Sequence, residues 1–120
     1  MLFNKQNISS YRVGLKAELI ARWYLRIHGF RILQTRYVTG KNTNRAEIDI
    51  IAKKKDLIIF VEVKSRSDIL KAWDAITDSQ IKRLRLAAEN YLSVKRWHGC
   101  ARYDVIFVHG YKVTWMQGVI

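Results

Sequence analysis

An acid and a lysine stand two residues apart in an otherwise apolar segment, LIIFVEVK, at residues 57–64. Successive side chains of a β-strand point to opposite faces, so Glu62 and Lys64 would share one face with Ile58 and Phe60. Charged groups in such a strand are costly unless they find partners. The pair is therefore a candidate for chemistry.

Asp49 lies in the preceding apolar segment, AEIDIIA, at residues 46–52. A short charged turn, KKKD, separates the two segments, and this spacing predicts a β-hairpin. Strict alternation places Ile48 and Ile50 together on the face opposite to Asp49. In such a hairpin, Asp49 can lie beside Glu62.

Two carboxylates that converge at one strand end suit a hard cation, and we expect Asp49 and Glu62 to bind Mg²⁺ or Mn²⁺. The cation can polarise a phosphoryl oxygen and lower the pKa of a bound water. Lys64 can orient or deprotonate the attacking water, or neutralise charge in the transition state. The chemistry that this set predicts is phosphodiester hydrolysis.

Ordinary structural roles fit the same spacing. A lone E-x-K motif is weak, and Glu62 and Lys64 also fit an ion pair on a half-exposed strand with Asp49 facing solvent. The apolar neighbours favour the functional interpretation. Glu18, a fourth candidate, fits a surface pair with Arg22 worth roughly 0.3–0.5 kcal/mol, although it borders an apolar stripe.

The elements that must position these residues follow from hydrophobic periodicity. Residues 10–28 have a helical pattern whose apolar stripe contains Leu15, Leu19, Trp23 and Ile27. The sequence TDSQ before a second helical pattern fits a capping box. Strands are predicted at residues 30–38, 46–52, 57–64, 102–108 and 112–116. The order predicts an α/β protein, a mixed β-sheet flanked by helices.

The domain prediction is a single unit over residues 1–120, with 1–9 as a flexible N-terminal tail. Residues 67–76 fit no element clearly. We expect a cytoplasmic protein, because no segment is long and apolar enough for a membrane span and none resembles a secretory signal. The single cysteine, Cys100, excludes an internal disulfide.

The charge balance indicates a polyanionic partner. The 120 residues include 22 Lys and Arg against 10 Asp and Glu, a formal net charge of +12. Six basic residues are candidates for phosphate contacts: Arg36, Lys41, Arg45, Arg66, Lys82 and Arg83. A solvated basic face is the alternative. Trp73 and Trp97 could stack on bases, but tryptophans are more often part of a core or an interface.

The order and spacing of five stretches are similar to those of a known family. They are GLKAE at residues 14–18 with Ala21, EIDIIA at 47–52, FVEVKSR at 60–66, KRL at 82–84 with Ala88 and YL at 91–92, and RYDV at 102–105. The chain resembles the YraN-like family of small bacterial proteins, which look like members of the PD-(D/E)xK nuclease superfamily.

The resemblance implies a restriction endonuclease-like core, α-β-β-β-α-β, similar to that of archaeal Holliday junction resolvases. It further implies that Glu18 is the helix acid, that Asp49 and Glu62 are metal ligands, and that Lys64 is the active-site lysine. Ala46 departs from the glycine usual at its position. A left-handed turn there would be strained with alanine, so we expect a local change that leaves the site intact.

The resulting expectation is a metal-dependent nuclease that acts on DNA, with branched or damaged DNA as candidate substrates. Two alternatives belong to other classes. One is a nucleic-acid-binding module that keeps the nuclease fold without turnover, and the other is a basic structural protein that binds RNA. A junction resolvase would also need a two-fold homodimer in order to cut symmetrically.

Overall fold

The structure, a computed structural model, describes residues 5–40, 45–65 and 76–120. Its elements are α1 (Lys5–Ile27), β1 (Arg31–Thr39), β2 (Ala46–Lys54), β3 (Leu57–Ser65), α2 (Asp78–Val94), β4 (Cys100–His109) and β5 (Lys112–Met116). The predicted order of helix, three strands, helix and two strands is confirmed. Residues 67–75, most of the segment that fitted no element, lie outside the described residues.

The five strands form one sheet in the order β1-β2-β3-β4-β5. Neighbouring strands are antiparallel except β3 and β4, which run parallel. A parallel pair needs a long crossover, and α2 lies in the crossover here. The predicted mixed sheet flanked by helices and the predicted β2–β3 hairpin are both confirmed.

Helix α1 packs on the sheet through small side chains. Ala17, Ala21 and Leu25 recur every four residues, are buried, and belong to one cluster with residues of β2, β3 and β4. The predicted stripe was wrong, because Leu19, Trp23 and Ile27 are 46%, 58% and 77% exposed. Alanine lets the helix backbone approach the sheet closely, which a row of larger side chains would prevent.

Helix α1 also begins earlier than the sequence pattern predicted. Its first residue is Lys5, so residues 5–9, which we assigned to an N-terminal tail, have helical backbone. Although α1 has 23 residues, no helix in the described part of the chain is long and apolar enough to cross a membrane.

Helix α2 covers the other face of the sheet and begins at a cap. The Thr77 side chain accepts a hydrogen bond from the backbone N–H of Gln80 at 3.1 Å, which is the N-cap bond of the predicted capping box. Leu84, Ala88 and Tyr91 are buried in a second cluster. The cap fixes the first turn of α2, and with it the position of Gln80.

Asp104 lies on β4, fully buried, and four donors surround its carboxylate. Arg102 donates twice, each time at 2.8 Å. The Trp115 indole N–H and the Gly118 backbone N–H each donate at 2.9 Å. The network joins the end of the described chain to the centre of the sheet.

Candidate active site

The regular alternation of β2 is interrupted at Asp49. Ile48 packs in the cluster under α2, whereas Ile50 packs in the cluster under α1, so these two residues face opposite sides of the sheet. The prediction that they share a face was therefore wrong. On the neighbouring strand β1, Tyr37 pairs with Ile48 and Thr35 pairs with Ile50. Arg36 therefore lies opposite Asp49, and its φ is 53°. This left-handed conformation is unusual for a residue other than glycine, and the irregularity coincides with the candidate acid.

Beyond the last paired residues of the β2–β3 hairpin, the Asp49 side chain makes the next contact between the two strands. The β2–β3 register runs from the pair Lys54 and Leu57 to the pair Ile50 and Val61. One step further, the Asp49 carboxylate accepts a hydrogen bond from the backbone N–H of Val63 at 2.8 Å. This bond holds the carboxylate against β3, at the level of Glu62.

Glu62 is buried, and its carboxylate is surrounded by the side chains of Lys64, Gln80 and Asp49. The ammonium of Lys64 lies 3.1 Å from its carboxylate, and the side-chain amide of Gln80 donates to the same oxygen at 3.4 Å. Asp49 and Glu62 line one cleft beside α2, close enough for the charge of Glu62 to act on Asp49. The structure therefore brings Asp49, Glu62 and Lys64 together. Sequence analysis did not propose Gln80, although its place in the capping box put it in the first turn of α2.

Burial and like charge make this carboxylate pair costly to ionise. Burial, followed by the negative charge of Glu62, raises the pKa of Asp49 to about 8, and the hydrogen bond from Val63 opposes the rise. Burial also raises the pKa of Glu62, and the charge of Lys64 opposes that rise. A cation bound between the carboxylates would remove the cause of the repulsion.

The chemistry of this donor set fits a hard divalent cation. Two adjoining carboxylates supply oxygen ligands, and Mg²⁺ typically takes one or two carboxylates and keeps several waters. Asp49 lines a cleft of about 360 Å³ that can hold those waters. No group of three or more His, Cys, Asp or Glu suited to a metal occurs in residues 5–40, 45–65 and 76–120. A site that holds Mg²⁺ there would use Asp49 and Glu62 together with water.

Glu18 faces the site from α1 and lines the same cleft as Asp49. Its carboxylate lies 3.3 Å from Nε of Arg36 and not in the surface pair with Arg22 that we considered. The negative charge of Glu18 still contributes to the raised pKa of Asp49. Glu18 is thus electrostatically linked to the acid pair from the facing wall of the cleft.

The candidate phosphate contacts divide into three groups. Arg36 lines the cleft between α1 and the sheet, and Arg45 and Arg83 line a second cleft of about 280 Å³ beside α2. Lys82 is exposed on α2. Lys41 and Arg66 lie outside the described residues. Because Asp49 lines both clefts, the acid pair lies where they meet.

Trp97, one of the two tryptophans proposed for stacking, has its indole N–H engaged away from the site. Trp97 donates its indole N–H to the Cys100 carbonyl at 2.9 Å and packs against the cluster under α2. That is a structural role. Trp73 lies outside the described residues. Ala46 opens β2 opposite Thr39 and has no left-handed backbone, so the glycine usual in the family is not required here.

Comparison with known proteins identifies the family. The family described as "Uncharacterised protein family UPF0102" matches residues 17–108. A UPF0102 protein of Shewanella frigidimarina is 39% identical over 109 residues, which cover 88% of this chain and 95% of that protein. One of Bartonella tribocorum is 36% identical over 106 residues, covering 87% and 78%. One of Agrobacterium fabrum is 42% identical over 99 residues, covering 81% and 78%. The chain therefore belongs to the bacterial UPF0102 family, also known as the YraN family.

Proposed function

We propose that this protein is a metal-dependent nuclease that hydrolyses phosphodiester bonds in DNA. One observation carries the proposal: the carboxylates of Asp49 and Glu62 adjoin in an apolar part of the sheet, with the Lys64 ammonium 3.1 Å from Glu62. A fold that needed only stability would be served as well by apolar residues here. Three charged groups so close together, two of which line a cleft, support a catalytic role.

The architecture supports the same proposal. The order α1-β1-β2-β3-α2-β4 and the pairing of three antiparallel strands with a parallel fourth fit a restriction endonuclease-like core. In that interpretation, β2 and β3 carry the acids, and α1 carries Glu18. The fold alone does not establish activity, so the proposal depends on the site.

The residues of the chain have separate roles in the proposed reaction. Asp49 and Glu62 would bind Mg²⁺ or Mn²⁺, which when bound polarises a phosphoryl oxygen and lowers the pKa of water. Lys64 presents a positive charge beside the reacting phosphate, where it stabilises developing negative charge. Gln80 holds the Glu62 carboxylate from α2, and so keeps its orientation fixed. Arg83, in the second cleft, is placed to bind an adjacent phosphate.

A polyanionic substrate agrees with the charge of the chain. The formal net charge is +12, and Arg36, Arg45 and Arg83 line the clefts that meet at Asp49. Because such binding releases counterions, DNA affinity should fall steeply as salt rises. We extend the proposal to branched or damaged DNA as substrates, and symmetric cutting of a junction would require a two-fold dimer.

The test is a paired measurement of cleavage and binding. Wild type, Lys64→Ala and Asp49→Asn are assayed under single-turnover conditions on single-stranded, duplex and branched DNA and on RNA, with magnesium, manganese or chelator. Lys64→Ala should lower the cleavage rate about 100-fold or more, a few kcal/mol of transition-state stabilisation. Its DNA affinity should change little, because one of 22 basic residues adds little to a diffuse footprint.

Lys55→Ala is the matched control. Lys55 is exposed in the β2–β3 turn at the opposite end of the hairpin, and its removal changes the net charge by the same amount. It should cut DNA as wild type does. If wild type binds DNA but cuts under no metal, and Lys64→Ala binds equally, the non-catalytic binding module replaces the nuclease. Unfolding of Lys64→Ala would instead show that Lys64 is a structural partner of Glu62.

A further inference from the structure

The tip of the β4–β5 hairpin carries an unusually exposed aromatic residue. Val108 pairs with Val113 and His109 with Lys112, which leaves Gly110 and Tyr111 as the turn. Tyr111 is 81% exposed, the highest value among the large hydrophobic side chains of the described residues. Gly110 supplies the left-handed φ of 62° that the turn needs. Tyr111 is therefore required neither for the turn nor for the core.

The Lys16 side chain contacts one face of the Tyr111 ring. The ammonium of Lys16 lies 4.5 Å from the Tyr111 ring centroid, the geometry of a cation–π contact. Lys16 is on α1 between Leu15 and Ala17, two residues that line the same cleft as Asp49. The contact connects the hairpin tip to the wall of the cleft.

The hairpin tip lies at the same end of the sheet as the acid pair. On β3, Lys64 and Ser65 pair with Phe107 and Val108 of β4, and the chain then continues directly into the turn. At ~3.3 Å per strand residue, Tyr111 lies on the order of 10 Å beyond the level of Lys64. A DNA strand advances by ~3.4 Å per nucleotide in a duplex, so this span corresponds to two or three nucleotides.

We infer that Tyr111 is a stacking platform for an unpaired base of the nucleic acid that occupies the cleft, with Lys16 contacting the adjoining phosphate. This inference rests on the proposed function, and it specifies the substrate as DNA with a single-stranded segment beside the scissile phosphate. In a duplex both faces of a base are covered by its neighbours, whereas an unpaired base leaves a face open to an aromatic ring. A tyrosine side chain has only two χ angles, so fixing it against a base costs little conformational entropy.

Binding without catalysis tests the inference, with chelator present throughout. The probes are a single-stranded oligonucleotide containing 2-aminopurine and a blunt duplex of equal length. Tyr111→Ala should weaken single-strand binding about 5- to 100-fold and change duplex binding by less than about twofold. Tyr111→Phe keeps the ring and should bind as wild type does. Stacking should quench 2-aminopurine with wild type and Tyr111→Phe, and this quenching should be lost in Tyr111→Ala.

Trp23→Ala is the matched control. Trp23 is also an exposed aromatic of the described chain with a basic partner, since the Arg26 guanidinium lies 5.3 Å from its ring centroid. It is further along α1 than the residues that line the cleft. This variant should bind both probes as wild type does.

Four results would overturn the inference. They are single-strand affinity of Tyr111→Ala within about twofold of wild type, an equal loss on both probes, the same loss in Trp23→Ala, and loss of the fold in Tyr111→Ala by circular dichroism. In each of them wild type still binds DNA, and the proposed function stands. If wild type binds neither probe, the proposed function fails and this inference fails with it.

Discussion

Asp104 and the acid pair Asp49 and Glu62 lie in one sheet, and the side chains around them differ in how far they neutralise the negative charge. Asp104 on β4 pairs with Val61, the neighbour of Glu62 on β3. Four donor contacts, including two from Arg102, satisfy Asp104. Asp49 on β2 and Glu62 on β3 are instead neighbours of each other, and burial raises the pKa of both carboxyl groups.

This difference is the one expected between an acid with a structural role and an acid with a catalytic role. A buried carboxylate with its own cation and hydrogen bonds is compatible with stability, and removal of one partner is destabilising. Two adjoining carboxylates of raised pKa lower stability unless a proton or a metal ion joins them. Proteins keep such arrangements where function requires them, so the contrast supports the proposal that Asp49 and Glu62, not Asp104, are the reactive acids.

The largest expected effect is the loss of stability when Asp104 is replaced. Asp104→Asn removes the negative charge beside Arg102, and its amide nitrogen cannot accept hydrogen bonds. It should destabilise the protein by about 3–5 kcal/mol. Urea unfolding measures the change, with Asp78→Asn as control because Asp78 is exposed in the first turn of α2. Equal stability of Asp104→Asn and wild type would remove the distinction between the two acid positions.

An Asp-to-Asn substitution at position 49 should have the opposite effect on the free energy of unfolding. Asp49→Asn removes one of two repelling charges, so at a pH of about 9 in chelator it should stabilise the protein by about 1–2 kcal/mol. It should also abolish cleavage. Urea unfolding of both proteins at that pH gives the difference. A less stable Asp49→Asn would mean that the carboxylate has a structural role through the hydrogen bond from Val63.

The pH dependence follows from the same shift. The pKa of Asp49 rises from the ordinary aspartate value of 3.8 to about 8 on folding, so between these values the folded protein holds a proton that the unfolded chain has released. The contribution of Asp49 to stability is therefore greatest below about pH 4, falls as pH rises, and levels off above about pH 8. The difference in unfolding free energy between wild type and Asp49→Asn isolates this contribution. A difference that is constant with pH would show that Asp49 titrates normally.

Magnesium should produce the smallest of these effects. A ligand that binds only the folded state at about ten times its dissociation constant stabilises by ~1.4 kcal/mol, which raises the melting temperature by a few degrees. Wild type at a pH of about 8 should show the rise, and Asp49→Asn and Glu62→Gln should not. Asp104→Asn, measured as a second control, should still respond. A rise of equal size in all variants would place the metal elsewhere.

The sequence predicted the elements well because their signals are local. The order of helices and strands, the β2–β3 hairpin and the cap at Thr77 were all confirmed from periodicity and turn chemistry. The orientation of α1 was not, because its sequence carries two apolar stripes. Periodicity favoured the one with Leu19 and Trp23, whereas close approach to the sheet selected the one with Ala17 and Ala21.

The details of the two acid positions depend on contacts that local patterns do not show. The interruption at Asp49 coincides with a left-handed Arg36 on the neighbouring strand, and arginine gives no sign of that conformation. Asp104 accepts from Trp115 and Gly118, which are 11 and 14 residues further along the chain. Only the assembled sheet brings such residues together.

Cys100 begins β4 opposite Leu57, at the end of the sheet remote from the acid pair. It is exposed, and it is the single cysteine of the sequence. The seven residue-to-residue steps from Leu57 to Lys64 span roughly 23 Å of strand. A maleimide fluorophore attached to this thiol would therefore be a spectroscopic ruler, far enough from Glu62 to leave the chemistry undisturbed and close enough for energy transfer to a dye-labelled oligonucleotide.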